Sequence, residues 1–406
     1  MFAWRKEVTP AGWRAFAAAY LGWLLDGFDF TMLTFVLGDI ARSFTINSAL
    51  AGALGTVTLL SRLAGGIGAG AAADKWGRKW PLALSILWYS LFAFLSGFAP
   101  SYAALFACRA LFGVGMGGVW TAGMPLAIEH WPPSMRGRVS GMLQSGFSTG
   151  FMIAAFVANV AAPWLDDSEL RWRALLWLGL APSLLAFWTM RHVEESPVWL
   201  ARHGQAASGG HGVSRLFQRD LIVTTLHASL VTSTFLCFYY AVTFWYPTLL
   251  AQSGRTALPF LVLLNLGTML GNVIWGQLSE SRVGRRGAAT IATAGAVLAT
   301  PFFIYGGATW ILLFASFIVG TFGTGNFGVV PGYLAERFPT ATRALGAGVT
   351  YHVGAALASF MPLAIGALVD DGMFLGTAMA ICMAASGVGI IMTIWMGPET
   401  RGRSLN

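Results

Sequence analysis

The stretch Gly70-Ala-Ala-Ala-Asp74-Lys75-Trp76-Gly77-Arg78-Lys79 separates two long apolar segments, and a second copy of it occurs later in the chain. The copy reads Gly276-Gln-Leu-Ser-Glu280-Ser-Arg282-Val-Gly284-Arg285-Arg286 and also follows an apolar segment. The glycine of the Gly-Arg pair stands at 77 in the first copy and at 284 in the second, an offset of 207 positions. Such a recurrence indicates an internal repeat.

A second pair of segments repeats at the same distance. Glu129-His-Trp-Pro-Pro-Ser-Met-Arg136 and Glu336-Arg-Phe-Pro-Thr-Ala-Thr-Arg343 keep Glu, Pro and Arg at the same spacing, and 336 − 129 is again 207. Two motifs with one offset predict two structural repeats. The longest polar segment, residues 191–220, lies between them. We therefore predict an amino-terminal half at 1–190, a linker at 191–218 and a carboxy-terminal half at 219–406.

The composition predicts a membrane protein. Of the 406 residues, 56% are apolar and 10% are charged, whereas soluble domains have about 25% charged residues. Lys and Arg concentrate in alternate loops, which places both termini in the cytoplasm and argues against nucleic acid as the reason for the net charge of +8. Twelve apolar segments have the length of bilayer-spanning helices. The predicted spans are 12–38, 46–73, 80–98, 102–129, 137–163, 172–190, 219–250, 256–279, 287–305, 308–335, 342–368 and 372–397.

The repeated loop and the twelve-span plan resemble the major facilitator superfamily over essentially the whole chain. The resemblance implies an all-α polytopic membrane protein, with twelve transmembrane helices in two six-helix pseudo-symmetric halves, that transports by alternating access and is not an enzyme. It also implies that the repeated loops act in gating. The implied gating residues are Gly70, Asp74, Gly77, Arg78, Lys79, Glu129, Arg136, Glu280, Gly284, Arg285, Glu336 and Arg343.

Narrower motifs are similar to the sialate:proton symporter family, which includes sialic acid and lactate carriers. They are Leu25-Asp26-Gly-Phe-Asp29-Phe, Ser61-Arg62-Leu-Ala-Gly-Gly and Ser140-Gly-Met-Leu-Gln144-Ser-Gly-Phe-Ser-Thr-Gly150. The first of these is also similar to aromatic acid:proton symporters. The resemblance implies an organic acid as cargo and protons as the coupling ion, with Na⁺ as the alternative ion.

Four charged residues lie deep within predicted spans, away from the span ends. Asp26 and Asp29 fall on one face of the first span, one turn apart, and Arg62 and Arg109 lie in the second and fourth spans. Charges at such depth are costly and usually functional. We predict that the aspartates couple protons and that the arginines bind a substrate carboxylate, since guanidinium forms a planar two-pronged contact. Helix packing is the alternative role of the aspartate pair, and pinning of neighbouring helices is the alternative role of each arginine.

The repeat provides an internal comparison for these charges. Adding 207 to their positions gives Ser233, Leu236, Met269 and Ser316, none of which is charged. If the charges only stabilised the fold, both halves would be expected to carry them. The asymmetry favours a role in proton coupling for the first half and a role in shaping the substrate site for the second half.

Uncharged polar residues within the spans form a second set of substrate-binding candidates. Helix packing is the alternative role for each, since lone amides in membrane helices often join helices. The candidates are Gln144, Tyr239, Tyr240, Asn265, Asn326 and His352.

These features predict a proton-coupled importer of a small carboxylate, sialic-acid-like or lactate-like. The alternatives are an aromatic or dicarboxylic acid:proton symporter and a proton-driven efflux antiporter. No nucleophile–base pair, metal-ligand cluster or phosphate loop is evident in the sequence, so we expect no cofactor and no metal. We expect a multi-pass protein of the cell inner membrane that works as a monomer in the lipid bilayer.

Overall fold

The structure is a computed structural model that describes residues 8–131, 136–161, 165, 167–203, 213–339 and 343–401. All regular secondary structure in these residues is helical, which confirms the predicted all-α class. Helices are the expected form of long apolar segments, because a helix satisfies its own backbone hydrogen bonds where lipid offers none.

The chain divides into two compact units. The first comprises Met1–Phe44 and Val57–Gly210, and the second comprises Thr45–Thr56 and His211–Asn406, as far as these ranges are described. Their boundary at 210 and 211 lies inside the segment predicted as a linker.

The helices of the first part of the chain pack as neighbours within one unit: α1 packs on α4 and α5, and α3 packs on α4 and α7. Pro182 begins a new helix after a short 3₁₀ turn, so the sixth predicted span is interrupted. The helices are α1 Pro10–Phe44, α2 Ser48–Trp76, α3 Lys79–Ser96, α4 Tyr102–Glu129, α5 Arg136–Ala161, α6 Ser168–Trp177, α7 Pro182–His192 and α8 Pro197–His203.

The helices of the second part are more often divided into two pieces. A 3₁₀ segment, Thr324–Val329, separates α13 from α14, and Ser359 separates α15 from α16. The helices are α9 Ile222–Thr243, α10 Tyr246–Gln252, α11 Leu258–Ser279, α12 Gly284–Tyr305, α13 Thr309–Phe322, α14 Val330–Arg337, α15 Arg343–Ala358, α16 Phe360–Asp370 and α17 Leu375–Met396.

Eleven stretches of the described chain are long and apolar enough to cross a membrane. They begin with α2 and end with α17, with divided helices counted as one stretch. The 35-residue helix α1 precedes them and exceeds the ~20 residues that a crossing requires. Together they correspond to the twelve predicted segments.

The beginning of α2 packs inside the second unit. Asp370 accepts the backbone N–H groups of Ser48 and Ala49 at 2.9 and 2.8 Å. Carboxylates are favourable at this end of a helix, where backbone donors lack partners. A Cβ atom on Gly52 would lie 2.4 Å from the Pro362 carbonyl oxygen, so only glycine permits this approach.

Candidate functional site

Two of the three buried aspartates on α1 lie close together. Asp26 is 0% and Asp29 is 3% exposed, and one helical turn separates them. Helix α1 approaches α5 closely at this level, because a Cβ atom on Gly27 would lie 2.8 Å from the carbonyl oxygen of Phe147. The close packing keeps both carboxylates inside the first unit.

Two buried arginines face the interior of the same unit from α2 and α4. Arg62 is 2% and Arg109 is 0% exposed. Their helices touch along small residues: a Cβ atom on Gly113 would lie 2.1 Å from the Thr58 carbonyl oxygen. The Thr58 hydroxyl donates to the Arg109 carbonyl oxygen at 3.2 Å. This contact fixes the separation of the two helices that present the guanidinium groups.

Each guanidinium group lies over an aromatic ring. The Cζ atom of Arg62 is 5.0 Å from the ring centroid of Trp23, and that of Arg109 is 4.1 Å from the ring centroid of Phe112. Such cation–π contacts stabilise a charge where water is excluded. Trp23 stands three residues before Asp26 on α1, so one helix supplies both the ring and the carboxylate.

The four charges interact electrostatically. Asp26 interacts with Arg62 and with Arg109, and Asp29 interacts with Arg109. Neither carboxylate oxygen of Asp26 accepts a hydrogen bond from the described residues, and the three guanidinium nitrogens of Arg109 donate none to them. Buried charges normally have hydrogen-bond partners. The cluster therefore has the capacity to bind a proton on a carboxylate and an anion on a guanidinium.

Two uncharged residues belong to the same unit. The predicted residue Gln144 is half-buried on α5, and its Oε1 atom accepts no hydrogen bond from the described residues. Sequence reasoning missed Tyr89 on α3, which is fully buried and interacts electrostatically with Asp29 and Asp26. The available signal was a lone tyrosine in an apolar helix, because a buried hydroxyl group requires a polar neighbour.

The predicted amides of the second unit are engaged in helix contacts. The side-chain nitrogen of Asn326 donates to the Ala289 carbonyl oxygen at 3.2 Å and to the Thr293 hydroxyl at 2.9 Å. The side-chain nitrogen of Asn265 donates to the Leu261 carbonyl oxygen of its own helix at 2.9 Å. The carbonyl oxygen of the Asn326 side chain accepts no hydrogen bond from the described residues.

The predicted aromatic and histidine candidates form two ring contacts in the second unit. Tyr239 is half-buried and Tyr240 is buried, and their rings meet edge to face at 5.7 Å. His352 is 5% exposed and meets the ring of Tyr351 at 5.4 Å.

The loop after α2 forms a polar cluster that we call the first loop cluster. Gly77 has a φ of +91°, which favours glycine. The backbone N–H groups of Arg78 and Lys79 donate to Glu195 at 2.7 and 3.1 Å. The Arg78 guanidinium lies 3.6 Å from Glu129, and the hydroxyl of Ser196, the residue after Glu195, donates to Glu129.

The loop after α11 forms the equivalent second loop cluster. Gly284 has a φ of +75°, and the backbone N–H groups of Arg285 and Arg286 both donate to Glu399 at 3.1 Å. The Arg285 guanidinium bonds Glu336 at 2.7 Å and Glu280 at 2.5 Å. The Thr400 hydroxyl donates to Glu336 at 2.6 Å.

Sequence reasoning had identified the glycines, arginines and glutamates of both loops but had not assigned Glu195 or Glu399 to them. These residues lie in Glu195-Ser-Pro197 and Pro398-Glu399-Thr400, short segments that follow the last helix of each half. The two units thus place equivalent residues in equivalent contacts, as the repeat predicts.

The other predicted loop residues are less fully described. Gly70 lies on α2, where an added Cβ atom would approach the Thr121 methyl group to 3.2 Å. The side chains of Asp74, Arg136 and Arg343 lie outside the described part of the structure.

Comparisons with known proteins agree with this fold. The family model of the Major Facilitator Superfamily matches residues 19–362. The chain is 33% identical to a probable 4-methylmuconolactone transporter of Cupriavidus pinatubonensis, over 99% of this chain and 94% of that one. It is 30% identical to the sialic acid transporter NanX of Escherichia coli, over 97% and 96% of the two chains. A partially occluded, inward-open structure of the xylose transporter XylE from E. coli has a TM-score of 0.76 at 18% identity and covers 98% of this chain and 100% of that one.

The family match spans most of the chain, and the relatives align from end to end. The structure agrees with the family match and with the relatives, because it has helices long enough to cross a membrane and two units with equivalent loop clusters. The chain therefore belongs to the Major Facilitator Superfamily, whose members are membrane transporters and not enzymes.

Proposed function

We propose that this protein is a proton-coupled importer of a small organic carboxylate. The observation that carries the proposal is the buried cluster of Asp26, Asp29, Arg62 and Arg109 in the first unit. Charged groups at such depth are retained where they act on a substrate or an ion. A carboxylate that can hold a proton lies beside a guanidinium that can hold an anion.

The charge balance of the cluster favours symport of one proton with each monovalent acid. Two ionised aspartates and two arginines are formally neutral. A substrate carboxylate on a guanidinium adds one negative charge in a region of low dielectric, where an uncompensated charge is costly. Protonation of one aspartate restores the balance, so anion binding and proton uptake favour each other by thermodynamic linkage.

The comparisons support an organic acid as the substrate. One relative is named for sialic acid and another for 4-methylmuconolactone. Arg109 is the first candidate to hold a carboxylate, because its three nitrogens donate no hydrogen bond to the described residues. Hydroxyl groups of the substrate would be bound by uncharged side chains, for which we propose Gln144, Tyr239, Tyr240, Asn265, Asn326 and His352.

The two loop clusters are proposed to act in gating. Each holds a glycine with positive φ, an arginine and at least two glutamates joined by hydrogen bonds and ion pairs, so a change in helix position must break several contacts together. The other loop residues named from the sequence, including Asp74, Arg136 and Arg343, share this proposed role. The halves 1–190 and 219–406, joined by 191–218, are proposed as the domains that move.

The location and the partners follow from the same proposal. A proton-coupled importer works in a membrane that carries a proton gradient, which for bacterial relatives is the inner membrane. The basic loops place both termini in the cytoplasm. The protein is proposed to work as a monomer in the bilayer with protons as the coupling ion.

The two buried arginines also favour a second candidate substrate class. Arg62 and Arg109 both interact with Asp26, so a dicarboxylic acid can place one carboxylate on each guanidinium. Uptake of a dicarboxylate with two protons would then replace uptake of a monocarboxylate with one.

Uptake by reconstituted protein tests the coupling. Purified protein in liposomes, with the inside alkaline, should accumulate radiolabelled sialic acid, lactate or muconate when a pH gradient is imposed. Asp26→Asn and Asp29→Asn should abolish accumulation driven by the gradient. Counterflow, which requires no net proton movement, should survive in at least one of them.

Asp39→Asn is the matched control, since Asp39 is also buried on α1 but is held by Arg171 through two hydrogen bonds of 2.8 Å. It should keep the ratio of gradient-driven uptake to counterflow. Full gradient-driven uptake by both Asp26→Asn and Asp29→Asn would refute proton coupling through this cluster. Acid export under the same gradient would indicate the antiporter instead.

A further inference from the structure

Tyr89 on α3 is a buried polar group that the proposed function does not yet use. It is 0% exposed, and its hydroxyl group has no hydrogen-bond partner among the described residues. A buried tyrosine hydroxyl normally has a partner, and one without it requires an explanation. The closest charged groups in the unit supply that explanation.

Helix packing places Tyr89 at the level of the aspartates. An added Cβ atom on Gly22 of α1 would lie 3.4 Å from Ile86 of α3, so the two helices are in contact there. They run in the same direction, because one crossing, α2, separates them. Asp26 lies four residues beyond Gly22 and Tyr89 lies three beyond Ile86, which gives rises of about 6 and 4.5 Å.

Tyr89 also packs against α4, the helix that carries Arg109. Its ring meets Phe112 edge to face at 5.8 Å and 79°, and the Arg109 guanidinium lies 4.1 Å from the same ring. A Cβ atom on Gly115 would lie 2.6 Å from the Tyr89 backbone nitrogen, so α4 holds this part of α3 closely. Phe112 thus contacts both the Tyr89 ring and the Arg109 guanidinium.

We propose that the Tyr89 hydroxyl donates a hydrogen bond to Oδ2 of Asp29 when that carboxylate is ionised, directly or through one water molecule, and so sets the pH at which Asp29 exchanges its proton. Neither Oδ2 of Asp29 nor the Tyr89 hydroxyl group has a hydrogen-bond partner among the described residues, so each is available to the other. Among the charged groups, Asp29 interacts most strongly with Tyr89, and Asp26 follows. A donor to the ionised form favours that form. Tyr89 is therefore a positioning residue for proton coupling, and the inference rests on the proposed function.

Several other charged and titratable groups share this environment and remain unchanged when Tyr89 alone is replaced. Helices α1, α2 and α4 contribute the closest charged and titratable groups. The charged groups of α6 are paired with one another or with Asp39, and those of α7 lie in its last turn. The groups concerned are Asp26, Asp29 and Asp39 on α1, Arg62 on α2, Lys79 on α3, Cys108 and Arg109 on α4, Glu169, Arg171 and Arg173 on α6, and Arg191 and His192 on α7.

Infrared difference spectroscopy of the purified protein tests the inference without a substrate. The carbonyl stretch of a protonated carboxylic acid should titrate with pH, and the band absent in Asp29→Asn belongs to Asp29. In Tyr89→Phe, which keeps the ring against Phe112, the midpoint of that band should move to higher pH by about one unit, equivalent to about 1.4 kcal/mol. A fluorotyrosine at position 89, a stronger donor of similar size, should move it to lower pH.

Tyr20→Phe is the matched control, since the Tyr20 hydroxyl is paired with Thr149 at 3.2 Å. It should leave the midpoint unchanged. An unchanged midpoint in folded Tyr89→Phe and in the fluorotyrosine variant would overturn the inference, as would the absence of an Asp29 band in the wild type. Shifted midpoints without uptake driven by a pH gradient would support the inference and refute the proposed function.

Discussion

Replacement of Gly77 by alanine tests whether the first loop cluster requires a glycine for two separate reasons. The backbone at this residue has a φ of +91°. An added Cβ atom would also lie 2.2 Å from Oε2 of Glu195 and 2.6 Å from its Cδ atom. The carboxylate must therefore move, and it is the acceptor for the N–H groups of Arg78 and Lys79.

The two effects have different magnitudes. An L-residue in the left-handed region costs about 1–2 kcal/mol. A hydrogen bond to a charged group contributes about 1.5–3 kcal/mol, and Glu195 is half-exposed, so water replaces part of what is lost. Two bonds at the low end of that range amount to about 3 kcal/mol, and replacement by water reduces the loss to roughly 2 kcal/mol. Gly77→Ala should lower the free energy of unfolding by about 3–4 kcal/mol in total.

Gly372 supplies a control with the same backbone conformation. Its φ is also +91°, and an added Cβ atom would meet nothing within 4 Å. Gly372→Ala should therefore cost only the conformational part, about 1–2 kcal/mol. Gly284→Ala, with a contact of 2.7 Å to Glu399, should lie between the two.

Thiol labelling during denaturant titration in detergent can follow each unit separately. Cys108 lies in the first unit, and Cys237 and Cys382 lie in the second, all as free thiols. In Gly77→Ala, Cys108 should become reactive at a lower denaturant concentration than in the wild type. The shift in the labelling midpoint should be larger for Cys108 than for Cys237 and Cys382. Equal losses in Gly77→Ala and Gly372→Ala would refute a requirement imposed by Glu195.

Two further predictions concern the buried cluster and the second loop cluster. Arg109→Lys should weaken binding of the transported acid by about 10- to 100-fold in a radioligand assay, because a point charge cannot replace the planar guanidinium group. The control Arg171→Lys, at the arginine that pairs with Asp39, should leave the affinity unchanged. Unchanged affinity in Arg109→Lys would refute the carboxylate contact. Burial alone would raise the pKa of Glu399, but backbone N–H donors from Arg401, Arg286, Arg285 and Thr400 outweigh it and hold the pKa below the usual 4.5. Glu399 therefore contributes stability that is complete above pH about 4.5 and is lost as the pH falls through the folded-state value. Unfolding measured across this range should show the loss in the wild type and not in Glu399→Gln, and equal pH dependence in both would contradict the assignment.

The positions of the crossings were predictable because apolar length is a direct physical signal. Helix α4 was predicted at 102–129 and is observed at Tyr102–Glu129. The interruptions were not predicted, although Pro182 gave a local signal for the break between α6 and α7. An apolar window averages over a short 3₁₀ turn, so hydropathy reports a crossing without resolving its internal breaks.

The charged part of the candidate site was predictable, whereas its neighbours were not. Asp26, Asp29, Arg62 and Arg109 are conspicuous because ionised groups are rare in apolar helices, and the structure buries all four within one unit. Tyr89 escaped notice because one aromatic residue among many carries little information without its neighbours. Glu195 escaped because its partner Arg78 is 117 positions away in sequence, and no local pattern reports such a contact.

The repeat separates what the fold requires from what one half adds. Both units build a loop cluster from a glycine with positive φ, an arginine and at least two glutamates, so this arrangement belongs to the common architecture. The buried charges have no such counterpart: the position equivalent to Arg109 is Ser316, whose hydroxyl pairs with Tyr246 at 2.8 Å. At the position of Ser316 the second unit therefore has an uncharged hydroxyl group whose hydrogen-bonding capacity is satisfied within the protein. The first unit has the costly arrangement where a satisfied neutral one was available, and the difference agrees with the proposed task that only ionisable groups perform, namely the joint binding of a proton and an anion.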